Sequence, residues 1–276
     1  MTTIRAEYTT VNELRASYLG ATQTTDDALI LQMIRATSRM IDGAAQKVFF
    51  PQVETRYFDI PNSRELDFDE WALSVTTLTN GAGGTITSAN YNLIPKNSAA
   101  YYGLALTQTQ GAIWQPDTSG NTENAIAVLG VWGYAPQDSN QFVATGGTLA
   151  AAITSTSATT FTATTGTIKA GYLLQIDSEY LYASAVTTGA SDTVTVERGV
   201  NGSTAATHLI STAISRWSPG EMIEQIARTG AAAMYKQKSN PVGESVLIDG
   251  QTFATVRDVS AYVRAQLAAM GLMSTH

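Results

Sequence analysis

Residues 141–168, QFVATGGTLAAAITSTSATTFTATTGTI, contain no charged side chain, and the reading of this stretch decides the fold. The wider block 141–216 carries only Lys169, Asp177, Glu179, Asp192, Glu197, Arg198 and Arg216, seven charges in 76 positions against 32 in the other 200. It also holds 17 threonines, in tracts such as Thr159-Thr160-Phe161-Thr162 and Thr193-Val194-Thr195-Val196. β-Branched side chains suit a pleated surface and lose rotamer freedom in a helix, so this composition predicts a separate all-β module.

Upstream of the block the pattern changes. Thr10-Val11-Asn12-Glu13 has capping-box spacing and Gly20 offers a left-handed stop, which predicts a helix over 11–19. A second helix is expected after Thr24 or Thr25, with Ile30, Met33, Ile34, Thr37, Met40, Ile41 and Ala44 on one stripe. Beyond Pro51 short strands follow, among them 53–60, 66–68, 72–78, 91–94, 104–106, 112–114 and 125–132, with Asn80-Gly81 and Gly83-Gly84 as turn signals.

Downstream, Ser218-Pro219-Gly220-Glu221 reads as a helix start with Ser218 as N-cap. Asp249-Gly250 reads as a hairpin turn, and a last helix over 256–270 places Val259, Tyr262, Val263, Leu267 and Met270 on one side. The order of these segments predicts an α+β chain: a helical host domain with small β strands, 1–140 together with 217–276, interrupted by an inserted all-β small barrel or sandwich over 141–216. Insertion at an exposed loop is physically tolerable, because each doubling of loop length costs only about 0.6 kcal/mol.

Composition narrows the function. Sixteen basic against 23 acidic residues give a net charge of −7, which disfavours a phosphate-gripping nucleic-acid binder. With no cysteine and two histidines, there is little material for a metal centre, thiol chemistry or a histidine relay, so neither a cofactor nor a metal is expected. No apolar h-region opens the chain and no uncharged apolar run approaches 18 residues, so a soluble, non-exported protein without membrane contact is expected.

Several residues invite chemistry. Asp67-Phe68-Asp69-Glu70 could ligate calcium, but it lacks EF-hand spacing and reads as a solvated turn. Asp177 and Glu179, two apart on an expected strand, have the form of a glycosidase dyad; pairing of Glu179 with Arg198 or a turn amide is the plainer reading. His208 has no metal-spaced companion and reads as locally hydrogen-bonded. Gly81-Ala82-Gly83-Gly84 lacks the lysine of a phosphate loop, and Tyr101, Tyr102 and Trp114 read as core or interface aromatics. No enzyme constellation emerges.

Taken in order, certain motifs resemble the head-tail connector (adaptor) proteins of tailed bacteriophages. They are Val11-Asn12-Glu13-Leu14 to Tyr18-Leu19-Gly20, Asp26-Asp27-Ala28-Leu29, Ile34-Arg35-Ala36-Thr37, Met40-Ile41-Asp42 and Val48-Phe49-Phe50-Pro51. Glu65-Leu66-Asp67, Leu73 to Thr79 and Tyr91-Asn92-Leu93-Ile94-Pro95 continue the series, and Gly130-Val131-Trp132-Gly133-Tyr134 leads to Pro219 and Ile223-Glu224-Gln225-Ile226-Ala227. The likeness spans about 200 residues, all but the threonine-rich block. The block is similar to a small β module of phage structural proteins through Gly171 to Glu179 and Val196 to His208.

This resemblance implies a structural virion protein, not an enzyme, made in the host bacterial cytoplasm and located in the virion neck. Its partners would be copies of itself in a ring of about twelve (a 12-mer), the portal protein above and a tail-side stopper or tail-completion protein below. Genomic DNA would pass through the lumen without specific binding. The last helix, through Val259, Tyr262, Val263, Gln266, Leu267 and Met270, is expected to face the portal. The alternatives are an adhesion or decoration protein binding host-surface glycans through the β module, and a glycoside hydrolase resting on Asp177 and Glu179.

Overall fold

Alternation over residues 126–132 organises the first sheet. In the computed structural model, which describes residues 3–20, 26–108, 111–136, 141–238 and 245–273, this segment buries Ile126, Val128, Gly130 and Trp132 on one face. It is β6 (Ile126–Trp132), and it lies between β1 (Gln52–Phe58) and the 15-residue β2 (Glu65–Thr79). β5 (Tyr101–Leu106) and β4 (Tyr91–Ile94) extend the sheet to the order β1-β6-β2-β5-β4, and β3 (Thr85–Ile86) pairs with β2. Every pairing is antiparallel. Leu66, Leu78, Leu104, Ile126, Val128 and Trp132 form the core, and Phe68 meets Trp132 edge-on at 5.2 Å. These elements belong to one compact unit, residues 47–140.

Residues 1–46 and 141–276 form the second unit. The predicted capping box is present: the Glu13 amide donates to the Thr10 hydroxyl (3.2 Å) and the Thr10 amide to the Glu13 carboxylate (3.0 Å). Such a cap stabilises a helix by about 1 kcal/mol. It opens α1 (Val11–Leu14), which runs on as a π turn over Arg15–Leu19. α2 (Asp27–Ala45) buries Ile30, Ile34, Thr37 and Ile41, the centre of the expected stripe; its expected start at Thr24 or Thr25 lies outside the described residues.

The threonine-rich segment forms a six-stranded antiparallel sheet of β7 (Phe142–Thr148), β8 (Thr160–Ala163), β9 (Leu173–Ile176), β10 (Glu179–Thr187), β11 (Asp192–Arg198) and β12 (Ala213–Trp217), ordered β7-β12-β9-β10-β11-β8. Its outer strands meet through a bridge between Leu149 and Ala163, supported by Ala150 N–H to Thr162 O (2.9 Å) and Thr164 N–H to Thr148 O (3.1 Å). The sheet thus closes on itself, which leaves few unpaired edge groups. Phe161, Leu174, Ile176, Leu181, Val194, Val196 and Ile214 fill its interior.

α3 (Glu221–Gln237) begins at Gly220, not at Ser218. Gly220 adopts φ 102°, a turn a serine would resist, while the Ser218 hydroxyl accepts the Gly220 amide and donates to Glu224. Gly230 allows α3 to approach α2: a Cβ there would lie 2.7 Å from Thr37 Cγ2. β13 (Val246–Ile248) and β14 (Gln251–Phe253) form the expected hairpin at Asp249-Gly250, and α4 (Val256–Ala269) follows with a Thr255–Asp258 capping box.

The expectation of a helical host interrupted by an all-β domain is overturned. Among the described residues strand makes up 34% against 24% helix, so they are mostly β, with three antiparallel sheets and four α-helices. One feature of the sequence hid this. The acidic run 67–70, read as a turn, lies inside β2, where the register shifts between Asp67 and Ala72 carry the strand past it. The expected strands 66–68 and 72–78 are therefore one, and six strands build a sheet with its own core. Residues 112–114 are not a strand. A boundary falls at 140/141, where the composition changes, but residues 141–216 group with the helices in a single unit.

Gly130 shows how closely β2 and β6 approach. A Cβ there would sit 2.4 Å from the Ser74 carbonyl oxygen, a clash only backbone movement relieves. Gly130→Ala is expected to cost about 1–3 kcal/mol in urea unfolding. Gly43→Ala, in open space on α2, is expected to stabilise by up to about 1 kcal/mol.

Candidate functional site

A cluster of titratable groups lies in the closed sheet, and a two-residue turn assembles it. Asp177 takes φ 52° between β9 and β10, a left-handed conformation that aspartate tolerates, and Glu179 opens β10 directly after it. Asp177 and Glu179 therefore do not share a strand face as the sequence suggested. Arg198 ends β11, and the segment 199–208 folds back over Glu179.

Glu179 is fully buried and receives five donors. Its Oε1 accepts Arg198 Nε at 2.6 Å and the Gly199 amide at 3.1 Å. Its Oε2 accepts Arg198 Nη2 at 2.6 Å, the Ala206 amide at 3.0 Å and His208 Nε2 at 2.8 Å. His208 Nδ1 faces Asp177 Oδ2 at 2.8 Å, while Arg198 also donates to the carbonyls of Ser155 and Ala206. Burial alone would raise the Glu179 pKa, but the bonds from Arg198, the Ala206 amide and His208 outweigh it and hold the carboxyl below its usual range.

This arrangement is a clamp. A glycosidase acid needs a raised pKa and access to substrate, whereas Glu179 is ionised, saturated and sealed from solvent. The plainer readings of Glu179 and His208, a pairing with Arg198 and turn amides and a locally satisfied imidazole, describe what the fold contains.

The other candidates are engaged in the same way. Arg56 donates to Asp69 (3.0 Å) and Glu70 (2.6 Å) while its guanidinium lies 4.6 Å from the centre of the Trp132 ring. Among the described residues no three His, Cys, Asp or Glu side chains are grouped to hold a metal. Gly81 to Gly84 form the turn between β2 and β3, closed by the Asn80 amide on Gly84 O at 2.8 Å. Tyr102 packs edge-on against Trp71, Trp114 donates to Ser63 O at 3.0 Å, and Tyr101 is half-buried in β5.

In the last helix, Val259, Val263 and Leu267 are fully buried. Tyr262 stands edge-on to Phe253 at 5.4 Å, and Gln266 and Met270 are half-buried. The apolar stripe thus completes the unit's own core, leaving Arg257, Ala261, Arg264, Ala265 and Ala268 as the solvent side.

One cluster went unread in the sequence because its members are far apart along the chain. The extended segment before α1 runs between α2 and the closed sheet. Ile4 N–H donates to Asn201 Oδ1 (2.6 Å), Arg35 Nε to Glu7 Oε1 (2.7 Å), Tyr182 to Glu7 Oε2 (3.4 Å) and Tyr172 to Glu13 Oε1 (3.0 Å). Arg216 pairs with Glu224 at 2.9 Å and lies over the Tyr172 ring. Burial, reinforced by Glu7, pushes the Tyr182 hydroxyl up to about 12. Burial would raise the Glu13 pKa, but the Thr10 amide, Tyr172 and Arg216 bring it below its usual value. No signal short of the fold links positions more than 150 apart.

No protein-family model, curated protein or solved structure matches this chain.

The clamp gives a direct prediction. Glu179→Gln leaves the buried Arg198 guanidinium without its counter-charge and is expected to destabilise by about 3–5 kcal/mol at pH 7. Asp177→Asn, at a carboxylate 60% exposed, should cost no more than about 1 kcal/mol. Because the folded Glu179 carboxyl titrates below its ordinary value of 4.5, its contribution is fully present above that pH and is lost as pH falls through the lower folded value. The gap between wild type and Glu179→Gln should therefore narrow below about pH 4.5 in denaturant unfolding.

Proposed function

We propose that the chain is a structural subunit of the neck of a tailed bacteriophage, a head-tail connector that joins the capsid to the tail. The observation that carries this reading is the ordered series of motifs from Val11-Asn12-Glu13-Leu14 to Ile223-Glu224-Gln225-Ile226-Ala227. The state of the titratable clusters supports it: Glu179, His208, Arg198 and Arg56 are each engaged by neighbours that hold the fold together.

On this reading about twelve copies form a ring beneath the portal by a head-to-tail contact closed by rotation. The portal lies on one side, a stopper or tail-completion protein on the other, and genomic DNA passes through the lumen. The net charge of −7 supports passage over gripping, because acidic subunits repel phosphates and release no counterions on contact. The portal contact is assigned to α4 through its solvent side, since Val259, Val263 and Leu267 are committed to the core and Tyr262, Gln266 and Met270 flank it.

Electron microscopy of the particle tests the assignment: density for this chain as a ring between portal and tail is the expected result. Its absence from purified necks, or specific binding of host glycans by the purified chain, would contradict it. Arg264→Glu, on the solvent side of α4, is expected to weaken co-sedimentation with portal-bearing heads by about tenfold while changing unfolding free energy by no more than about 0.5 kcal/mol.

A further inference from the structure

The first sheet leaves its two outer strands in different states. β4, at one end, is four residues long and stops at Pro95 and Lys96, features that discourage pairing with another chain. β1, at the other end, runs for seven residues in unbroken register with β6 and has no Pro, Lys or bulge to blunt it. Val53, Thr55, Tyr57 and Phe58 suit an extended strand, and Tyr57 is 62% exposed. β6 occupies one side of β1; among the described residues no backbone-to-backbone bond reaches 53–58 from the other side.

A groove of about 700 Å³ borders this strand, and Glu54, Thr55, Arg56 and Tyr57 all line it. Side chains alternate between the two faces of a strand, so contact with four successive residues sets the groove against the free edge of β1 and not on one face. Asp69 and Glu70 of β2 form the far wall. They lie where β2 is itself unpaired: its register with β5 jumps from Asp67 to Ala72, and its pairing with β6 begins at Ala72. Arg56 spans the groove, donating to Glu54, to Asp69 (3.0 Å) and to Glu70 (2.6 Å). One guanidinium against three carboxylates leaves a surplus of two negative charges, and Asp69 and Glu70 are 68% and 45% exposed.

We propose that this edge takes up an extended, lysine- or arginine-bearing segment of another protein, which pairs with β1 as an added strand and sets its cationic side chains on Glu54, Asp69 and Glu70. Two requirements select the occupant. The unpaired N–H and C=O groups of an edge strand are satisfied by extended backbone, the basis of recognition by strand addition. The negative surplus is met by positive side chains, which on a strand fall on one face at every second residue. A second copy is disfavoured, because it brings the same acidic wall and a net charge of −7. Nucleic acid is disfavoured by the sign of its phosphates. One added strand buries little area, so the association is weak and sensitive to salt. The contact uses β1 and β2 alone, and it stands whether or not the chain forms a ring.

The test titrates the full chain against dye-labelled, end-blocked peptides of eight residues, read by fluorescence anisotropy and by hydrogen exchange of the amides at 53–57. A peptide alternating lysine with valine is expected to bind with a Kd below about 1 mM and to slow exchange at 53–57. Its glutamate–valine counterpart should bind at least about tenfold more weakly, and so should a lysine–valine peptide N-methylated at every residue, which keeps the charge but has no N–H to donate. Asp69→Lys should weaken the lysine–valine peptide by at least about threefold, whereas Glu197→Lys, the same charge change at an exposed site on β11, should alter it by less than about twofold. Circular dichroism melts confirm that both variants are folded, and the peptide comparisons hold on the unaltered chain. Absence of saturable binding up to about 1 mM, equal binding of the methylated peptide, unchanged exchange at 53–57 or equal effects of the two substitutions would overturn the proposal. Protection of 53–57 that rises with the concentration of the chain alone would assign the edge to a second copy and overturn it too.

Discussion

The closed sheet depends on one buried carboxylate. Glu179 has no solvent exposure, so it is tolerable as an anion only because Arg198, His208 and two backbone amides meet both of its oxygens. This requirement draws the end of β11 and the segment 199–208 onto the start of β10. It thereby fixes the turn that carries Leu209 and Ile210, and it places Asn201 where it accepts the Ile4 amide. From Ile4 the chain continues through the buried Ala6 and Tyr8 to the capping box at Thr10. A single electrostatic demand is thus passed from sheet to terminal segment to helix within one unit.

Burial of charge has a consequence at the surface. Of the seven charged residues in 141–216, Glu179, Arg198 and Asp192 are buried or nearly so, and Arg216 is engaged by Glu224. What faces water is largely threonine, serine and alanine, with a few exposed aliphatic residues. Such a surface has few groups for acid-base chemistry and suits packing against other protein, which is the work proposed for the chain.

Local signals in the sequence are legible where neighbours along the chain decide the structure. The Thr10–Glu13 cap, the α2 stripe and the Asp249-Gly250 hairpin depend on residues within a few positions of one another. The register of β2 was not legible. Asp69 and Glu70 look like a solvated turn until Arg56, 13 and 14 residues away on β1, is seen to donate to both of them on the continuous strand β2. Ser218 had the right chemistry for an N-cap, but the chain reverses at Gly220, two residues later. The last helix had a true apolar stripe, and only the fold shows that its own core takes Val259, Val263 and Leu267. Of the clamp, Glu179–Arg198 was readable as a pairing; the meeting of His208 with both Asp177 and Glu179 required the turn at Asp177.

Backbone hydrogen exchange over residues 199–212 tests most directly whether the buried carboxylate governs this architecture. The account predicts that the amides of Gly199, Ala206 and His208 exchange as slowly as those of β10 and β11, and that Glu179→Gln accelerates all three together. Rapid exchange of these amides in the wild-type chain, at the rate of an open loop, would contradict it.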